Sequence, residues 1–376
     1  MSRTTTAGAG ARLGSAPTVF AIDVGWGQVK FSRPTQAAGE DGVSYDSFPA
    51  IAIPSDPSAM RSISARPRQT FDVPVGTGHY EVGHEIFLAQ TETDFGREIS
   101  EEYFRSNIYE ALMKGALRYI NASEIDTLVL GLPVSQYNNS DRHDHLIKTY
   151  SGREIDLGGG VTTRIHDVVV RPQPLGGYVA MFNHLDAISQ AIAPFEAILP
   201  IPGTIEELQR MTTLIVDPGE FTLDWLLMMD GQLHKASSAV SDAGRYRVVR
   251  AVHEALASKI GRPLGPAAMP RINEALRSTG QIKLSGVVYD LSEFSGIVAQ
   301  CVEDSVNRMV AGLRGMVDVV DLIVVVGGHP APYITDLTRR FPAIPTLALP
   351  DPLTANVRGF QSIGREIAKR GRARAA

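Results

Sequence analysis

One pattern occurs twice in this chain: an apolar, β-rich run, then Asp, one residue and Gly, then a second β-rich run. The first copy runs from Val19 to Asp23 and Gly25, the second from Thr212 to Asp217 and Gly219. Repetition restricts a fold more than either copy does alone, since both copies must form the same supersecondary unit and each needs a sheet to join. The chain has 376 residues, too many for one ordinary core and enough for two domains sharing a cleft.

After each Asp-x-Gly the chain turns back. Residues 28–32 form a hairpin with 19–24 about Gly25-Trp26-Gly27, and 222–229 partner the second copy. Residues 71–75 and 79–82 read as strands paired about Gly76-Thr77-Gly78. Apolar residues at helical spacing predict helices over 100–119, 175–192, 245–257 and 291–316, with a last helix over about 356–369. Buried strands are expected over 127–132, 164–171 and 322–326. The pattern is that of an α/β protein.

The loops carry the chemistry. In Asp23-Val24-Gly25-Trp26-Gly27-Gln28-Val29-Lys30 a tight Gly turn lets backbone N–H groups face a dense negative charge without Cβ interference. Asp23 repels phosphate, so its role there is to hold Mg²⁺ through water, since Mg²⁺ keeps part of its hydration shell. Lys30 supplies a compact positive charge to a phosphate oxygen. Alone, this loop reads equally as a Gly hairpin with a surface Lys. The second loop, Asp217-Pro218-Gly219-Glu220-Phe221-Thr222-Leu223-Asp224, sets Asp217 opposite Asp23 and offers the Thr222 hydroxyl to phosphate. Two facing loops can clamp a Mg-nucleotide from both sides, the positioning that phosphoryl transfer requires. A third element, Ile323-Val324-Val325-Val326-Gly327-Gly328-His329, is either a turn after a buried strand or a bare backbone floor for a flat nucleoside.

Other features exclude more than they assign. A net charge of −5 gives no global attraction to nucleic acid or anionic membrane. Cys301 is the only cysteine, so no disulfide forms within the chain, in keeping with a reducing cytoplasm; it reads as a small buried residue. No stretch approaches the roughly 18 apolar residues that span a bilayer. Residues 1–17 lack an apolar core and read as a disordered leader rather than a secretory signal. The basic end, Lys369-Arg370-Gly371-Arg372-Ala373-Arg374, reads as the solvated end of a helix. Arg142-His143-Asp144-His145 reads as a solvated segment, because His at i and i+2 do not share a helix face.

With these motifs in place, the chain resembles the actin-like ATPases, and among them the ParM/StbA plasmid-segregation group. The likeness covers about residues 19–367. Asp23 to Lys30 is similar to the family's phosphate-1 loop, Gly131-Leu132-Pro133 to its connect-1 strand and Asp217 to Asp224 to phosphate-2. Gly327-Gly328 is similar to the adenosine motif, and Ala355-Asn356-Val357-Arg358-Gly359-Phe360 to the closing helix. The wording of Phe48-Pro49, Tyr80-Glu81-Val82-Gly83 and Asp351-Pro352-Leu353-Thr354-Ala355-Asn356 further resembles the PRTRC-system branch of that group.

The resemblance implies an actin-like ATPase fold: two α/β domains, each with a mixed five-stranded sheet flanked by helices, and a nucleotide cleft between them. The first domain is expected over 18–180 with a returning C-terminal helix over 355–376, the second over 181–354. ATP and Mg²⁺ are the implied cofactors. Asp23 and Asp217 would face the Mg²⁺, with Gly25, Trp26, Gly27, Gln28, Lys30, Gly219, Glu220, Phe221 and Thr222 at the phosphates. The nucleoside would meet Gly244 and Arg245, with Arg247 as a weaker candidate, and Gly327, Gly328 and His329. Gln173 falls where the family orients the attacking water, so Gln173 and Asp217 are the expected catalytic pair. ParM-type proteins usually place Glu there; an amide aligns water but takes no proton, which implies slow, polymer- or partner-stimulated hydrolysis. Glu220 stands where a second Gly is common, and its carboxylate repels phosphate unless it points outward or assists Mg²⁺. The implied biology is a cytoplasmic filament acting in plasmid or DNA segregation, with DNA met through an adaptor. Two rivals stay open: a nucleotide-sensing scaffold that does not polymerise, and a small-molecule kinase of the same superfamily, for which no Asp-rich substrate motif is evident.

Overall fold

The structure, a computed structural model, describes residues 18–35, 42–55, 68–88, 102–235, 237–265 and 267–375. The expected leader, 1–17, lies outside them. The first half opens with β1 (Val19–Val24), β2 (Gln28–Pro34) and β3 (Val43–Pro49), then β4 (Ala52–Ser55), β5 (Thr70–Val75) and β6 (Gly78–Gly83). It continues through α1 (Asn107–Ile120), β7 (Glu124–Leu132), α2 (Val134–Tyr137), α3 (Ser140–Tyr150), β8 (Arg153–Asp156) and β9 (Thr162–Pro172). Three helices, α4 (Gln173–Met181), α5 (Leu185–Ile192) and α6 (Ile205–Arg210), lead to the second half. There follow β10 (Thr213–Pro218), β11 (Thr222–Met229), β12 (Gln232–Leu233), β13 (Ser238–Ser241), α7 (Arg245–Ile260) and α8 (Ala268–Arg277). The chain ends with β14 (Gln281–Leu284), β15 (Val287–Asp290), α9 (Ser295–Leu313), β16 (Leu322–Val325), α10 (Ala331–Arg340), β17 (Thr346–Ala348) and α11 (Ala355–Ala375).

The repeat in the sequence is a repeat in the fold. β1 runs antiparallel to β2 and parallel to β7; β10 runs antiparallel to β11 and parallel to β16. The first sheet has the order β3-β2-β1-β7-β9-β8, and the second the order β12-β11-β10-β16-β17 with β13 also on β11. Each therefore has six strands where five were expected. The short strands β8 in one sheet and β12 and β13 in the other are too brief to leave an apolar pattern. The strands central to both sheets are buried along their whole length, as β1 and β10 show. Burial on both faces is the reason they read as continuous apolar runs rather than alternating ones.

Three helical expectations are corrected. The helix expected over 100–119 starts at Asn107, where the Ser106 side chain accepts from the Tyr109 N–H and caps it; a 3-10 turn, Tyr103–Arg105, precedes it. The helix expected over 175–192 is broken: Phe182–His184 is a 3-10 turn, and His184 leaves the helical region at φ −127°, ψ 36°. Both pieces bury apolar residues in one cluster (Tyr178, Met181, Ile188 and Ile192), so their apolar spacing conceals the break. The helix expected over 291–316 starts as a 3-10 turn at Leu291–Phe294 and stops at Leu313, because Arg314 and Gly315 are left-handed. The segment read as solvated, Arg142 to His145, is helical in α3, with Arg142 buried and its guanidinium 5.4 Å from the Phe104 ring centre. Cys301 is buried, as expected.

The last helix ties the molecule together. α11 crosses α4 where glycines face each other: a methyl group on Gly359 would lie 1.9 Å from the Gly176 carbonyl oxygen. Phe360 is wholly buried against Ala21, Val129 and Val357. Gln361 donates to the Val19 carbonyl at 2.8 Å and accepts from the Ser32 hydroxyl at 2.7 Å, fixing α11 on the first sheet.

Candidate functional site

The two hairpin loops close with the same bond. Gly25 N–H donates to the Gln28 carbonyl at 3.1 Å, and Gly219 N–H to the Thr222 carbonyl at 2.9 Å. The strand registers place Asp23 opposite Lys30 and Asp217 opposite Asp224. The loops therefore share the turn bond and differ in charge at two matched positions, Trp26 against Glu220 and Lys30 against Asp224.

Asp23 is wholly buried and both its oxygens are engaged, Oδ2 by Lys30 Nζ at 3.0 Å and Oδ1 by the Gln173 amide at 2.5 Å. Asp217 Oδ2 accepts from the Asn356 amide of α11 at 2.6 Å, and Asn356 Oδ1 accepts from Gly177 N–H at 3.1 Å. Asp224 accepts from Val134 N–H at 2.9 Å and from the Thr222 hydroxyl at 2.5 Å. Burial would lower the Lys30 pKa, but the carboxylates of Asp23, Asp217 and Glu220 together hold it above the usual lysine value. Burial lifts the Asp217 carboxyl against the pull of Lys30, and it pushes Asp224 up to about 7.

A narrow cleft with a cavity volume of about 70 Å³ opens between the loops. Of the expected residues, Gly25, Trp26, Gly27, Gln28, Lys30, Gln173, Asp217, Gly219, Glu220, Thr222, Arg245, Gly327, Gly328 and His329 line it. Three do not. Asp23 lies beneath Lys30. Phe221 turns away into an aromatic row, its ring 5.5 Å from Trp26 and 4.8 Å from Tyr246. Gly244 supports the loop from behind, where a methyl group would come within 2.5 Å of the Glu220 carbonyl oxygen. Trp26 itself stacks on Tyr103 at 4.0 Å. Arg247 pairs with Asp304 at 2.7 Å, outside the cleft lining.

The floor is shaped by glycine. Gly327 has φ +87°, and a methyl group there would lie 2.6 Å from Asp217 Oδ1, so neither the turn nor the space admits a side chain. His329 is pushed down to about 4 by burial and by Arg245 and Arg277 nearby, and is neutral at pH 7. Arg245 is held by the Asn273 side chain and its carbonyl, while its Nη1 is buried without a hydrogen-bond partner; burial pushes its pKa down to about 10.

Sequence reasoning missed Tyr109, Gln136 and Arg277 in the lining, and it named Pro133, Asp224 and Leu353 within motifs without assigning them to the site. Asp224 was legible as the end of the second loop. Arg277, at the end of α8, left no local signal.

The donor chemistry suits a hydrated cation. Asp23 and Asp217 are buried carboxylates that act on one lysine, negative charge that a protein interior tolerates poorly without compensation. Among the described residues no three His, Cys, Asp or Glu side chains converge as direct ligands. A Mg²⁺ that keeps its water and meets Asp23 and Asp217 through it fits this arrangement. Among the same residues no helix is long and apolar enough to cross a membrane.

Comparison with known proteins agrees with the architecture. Residues 21–176 match the family of actin like proteins, N terminal domain. The chain superposes on an archaeal actin homolog with a TM-score of 0.69 at 18% identity, covering 94% of this chain and 99% of that one. The same archaeal homolog in complex with ADP gives 0.63 at 19% identity, covering 94% and 99%. A ParM filament structure from Clostridium botulinum gives 0.66 at 17% identity, covering 94% and 100%. No curated protein matches the sequence. The duplicated hairpin sheets and the cleft between them give this chain the fold of these actin homolog and ParM structures, and its segment 21–176 matches the N terminal domain of actin like proteins.

Proposed function

We propose that the chain binds ATP with Mg²⁺ between its two loops, hydrolyses it slowly, and assembles into filaments controlled by nucleotide state. The observation that carries this reading is the facing pair of loops, with buried Asp23 bonded to Lys30 and the Asp217 carboxylate acting on the same lysine from the other loop. The domains divide as 18–180 with the returning helix 355–376, and 181–354. Backbone N–H groups of Trp26 to Gln28 and of Glu220 to Thr222, with Lys30, hold the phosphates, while the Gly25 and Gly219 N–H groups close the two turns. Asp23 and Asp217 hold the hydrated Mg²⁺, which supplies charge neutralisation at the phosphates when bound. Arg245, Gly328 and His329 meet the nucleoside. Gln173 spends its amide N–H on Asp23, leaving its carbonyl oxygen to orient water but nothing to take the water's proton. Asp217, its carboxyl raised by burial, is the nearby group able to accept it.

Head-to-tail association of identical subunits uses two different surfaces and propagates an open filament. The ParM filament among the similar structures supports assembly of this kind. The process served is segregation of plasmid DNA in the cytoplasm; the acidic balance of −5 favours contact with DNA through an adaptor. The amide at Gln173 also favours a second reading, a nucleotide sensor that binds ATP and stays monomeric.

Sedimentation with negative-stain microscopy, with and without Mg-ATP and beside Asp217→Ala, tests the proposal. Wild type should pellet as filaments with Mg-ATP, and the variant should stay in the supernatant. A wild type that binds ATP but never assembles over a broad concentration range leaves the sensor.

A further inference from the structure

The second half exposes apolar side chains in two places, and the strand directions put them at opposite ends. The connection from α5 to α6 leaves Ile198, Ile201 and Ile205 exposed by 71%, 41% and 42%. It leads through α6 to Thr213, the first residue of β10, whose other end, Pro218, opens the second loop. β13 returns the chain to that loop, where Gly244 N–H donates to the Phe221 carbonyl at 3.2 Å, and α7 leaves from there. α7, α8 and the β14–β15 hairpin build a core of their own, with Val252, Leu256, Ile272, Ile282 and Leu284. α9 then runs back, since the chain after it enters β16 at Leu322, opposite Thr213. The hairpin therefore stands beyond the loop end of the second sheet, and the α5–α6 connection beyond the other end. On the hairpin, β15 leaves Val287 and Val288 exposed by 52% and 58%. Among the described residues β15 pairs with β14 alone, so its outer edge is open to another chain.

The charges around the two patches differ in sign. Beside the hairpin, Arg262 donates to the Ser285 hydroxyl at 2.9 Å and Arg271 to the Lys283 carbonyl at 2.6 Å, and Arg262, Arg271 and Lys283 are all exposed. The acids there are engaged locally, Glu293 by Lys259 and Asp290 by the Ser292 N–H at 2.8 Å. Around the connection the exposed charges are Glu196, Glu206 and Glu207, with Arg210 the cation among them. Two apolar patches of opposite charge, at opposite ends of one chain, are what a head-to-tail contact needs. A two-fold contact would set each patch against itself and bring like charges together. We propose that the β15 edge of one copy, with Val287 and Val288, seats on the Ile198–Ile205 connection of the next copy. Second half then follows second half, and each contact leaves an unused patch at both ends, so association propagates. The inference rests on the filament reading above and names the two surfaces that carry it.

The test mixes two variants of the full chain in Mg-ATP, Val288→Asp and Ile201→Asp, each of which spoils one patch and leaves the other. Alone, each should stay monomeric in analytical ultracentrifugation at concentrations where wild type pellets as filaments. Mixed in equal amounts, they should form a heterodimer and no filaments, because one intact hairpin meets one intact connection and the two remaining ends are spoiled. Val287→Asp and Ile198→Asp serve as a second pair. Circular dichroism and ATP binding check that each variant keeps its fold and its cleft, whose lining includes none of these residues. A variant that pellets like wild type overturns the proposal and leaves the filament reading standing. So does a mixture of monomeric variants that stays monomeric, since the patches then meet something other than each other. Dimers formed by either variant alone show a two-fold contact and overturn it as well. Wild type that never assembles removes the filament reading and this inference together.

Discussion

Asp224 holds the position in the second loop that Lys30 holds in the first, so the two loops bring opposite charges to that matched site. Burial pushes its carboxyl up to about 7, against an ordinary value of 3.8. The folded chain therefore binds this proton more tightly than the unfolded one. The residue's contribution to stability is whole below the unfolded value and is lost as pH rises through about 7. In urea unfolding of the nucleotide-free protein in EDTA, wild type should gain about 1 kcal/mol relative to Asp224→Asn between pH 8 and pH 6. Parallel pH dependences for the two would mean that the carboxyl ionises normally. Gly327 allows a second prediction at this scale. With φ +87° and Asp217 Oδ1 only 2.6 Å from any added methyl group, Gly327→Ala should cost about 1–2 kcal/mol of stability from the left-handed turn alone. It should also weaken ATP binding by about tenfold. Stability and affinity both at wild-type level would show that the turn relaxes and that Asp217 is not displaced.

Among the elements, α11 decides how the halves are joined. Its first turn supplies Asn356 to Asp217 of the second loop and to Gly177 of α4, and its middle supplies Phe360 and Gln361 to the first sheet. The crossing with α4 depends on two glycines with backbone against backbone. Gly359→Ala forces α11 off α4 and should cost about 3 kcal/mol, the upper part of the range for overpacking, read as a lower urea midpoint. A loss below about 0.5 kcal/mol, the level of a neutral surface change, would mean that the helices slide apart freely. The same variant should weaken nucleotide binding, since Asn356 moves with the helix.

For the whole molecule, the two loops touch across the cleft at Trp26 with Phe221 and at Gly27 with Glu220. A ligand between them bridges both sheets, so binding and the closed arrangement stabilise each other. Mg-ATP at about 100 times its Kd should raise the unfolding free energy by about 2.7 kcal/mol, seen as a higher midpoint in thermal unfolding. Excess EDTA should return the midpoint to the nucleotide-free value, and Lys30→Gln should show little shift at the same ATP concentration. An equal shift in wild type and Lys30→Gln would place the nucleotide elsewhere.

The duplicated strand–Asp-x-Gly–strand units, the α/β class and most long elements could be read from the residues, because continuous apolar runs and Asp/Gly turns are local signals. Twelve of the loop and floor positions named from the sequence do line one cleft, since a hairpin carries its own turn residues with it. Other features depend on contacts between segments far apart in the chain. The break at Phe182–His184 is hidden because both pieces bury apolar residues in one cluster. Phe221 leaves the cleft for an aromatic row contributed by Trp26 and Tyr246. Arg277 and Asn356 reach the site from helices whose local sequence says nothing of it. Glu220 showed the same division most plainly: its charge was legible at once, but its direction, toward Gly27 on the opposite loop, follows from how the two sheets face each other.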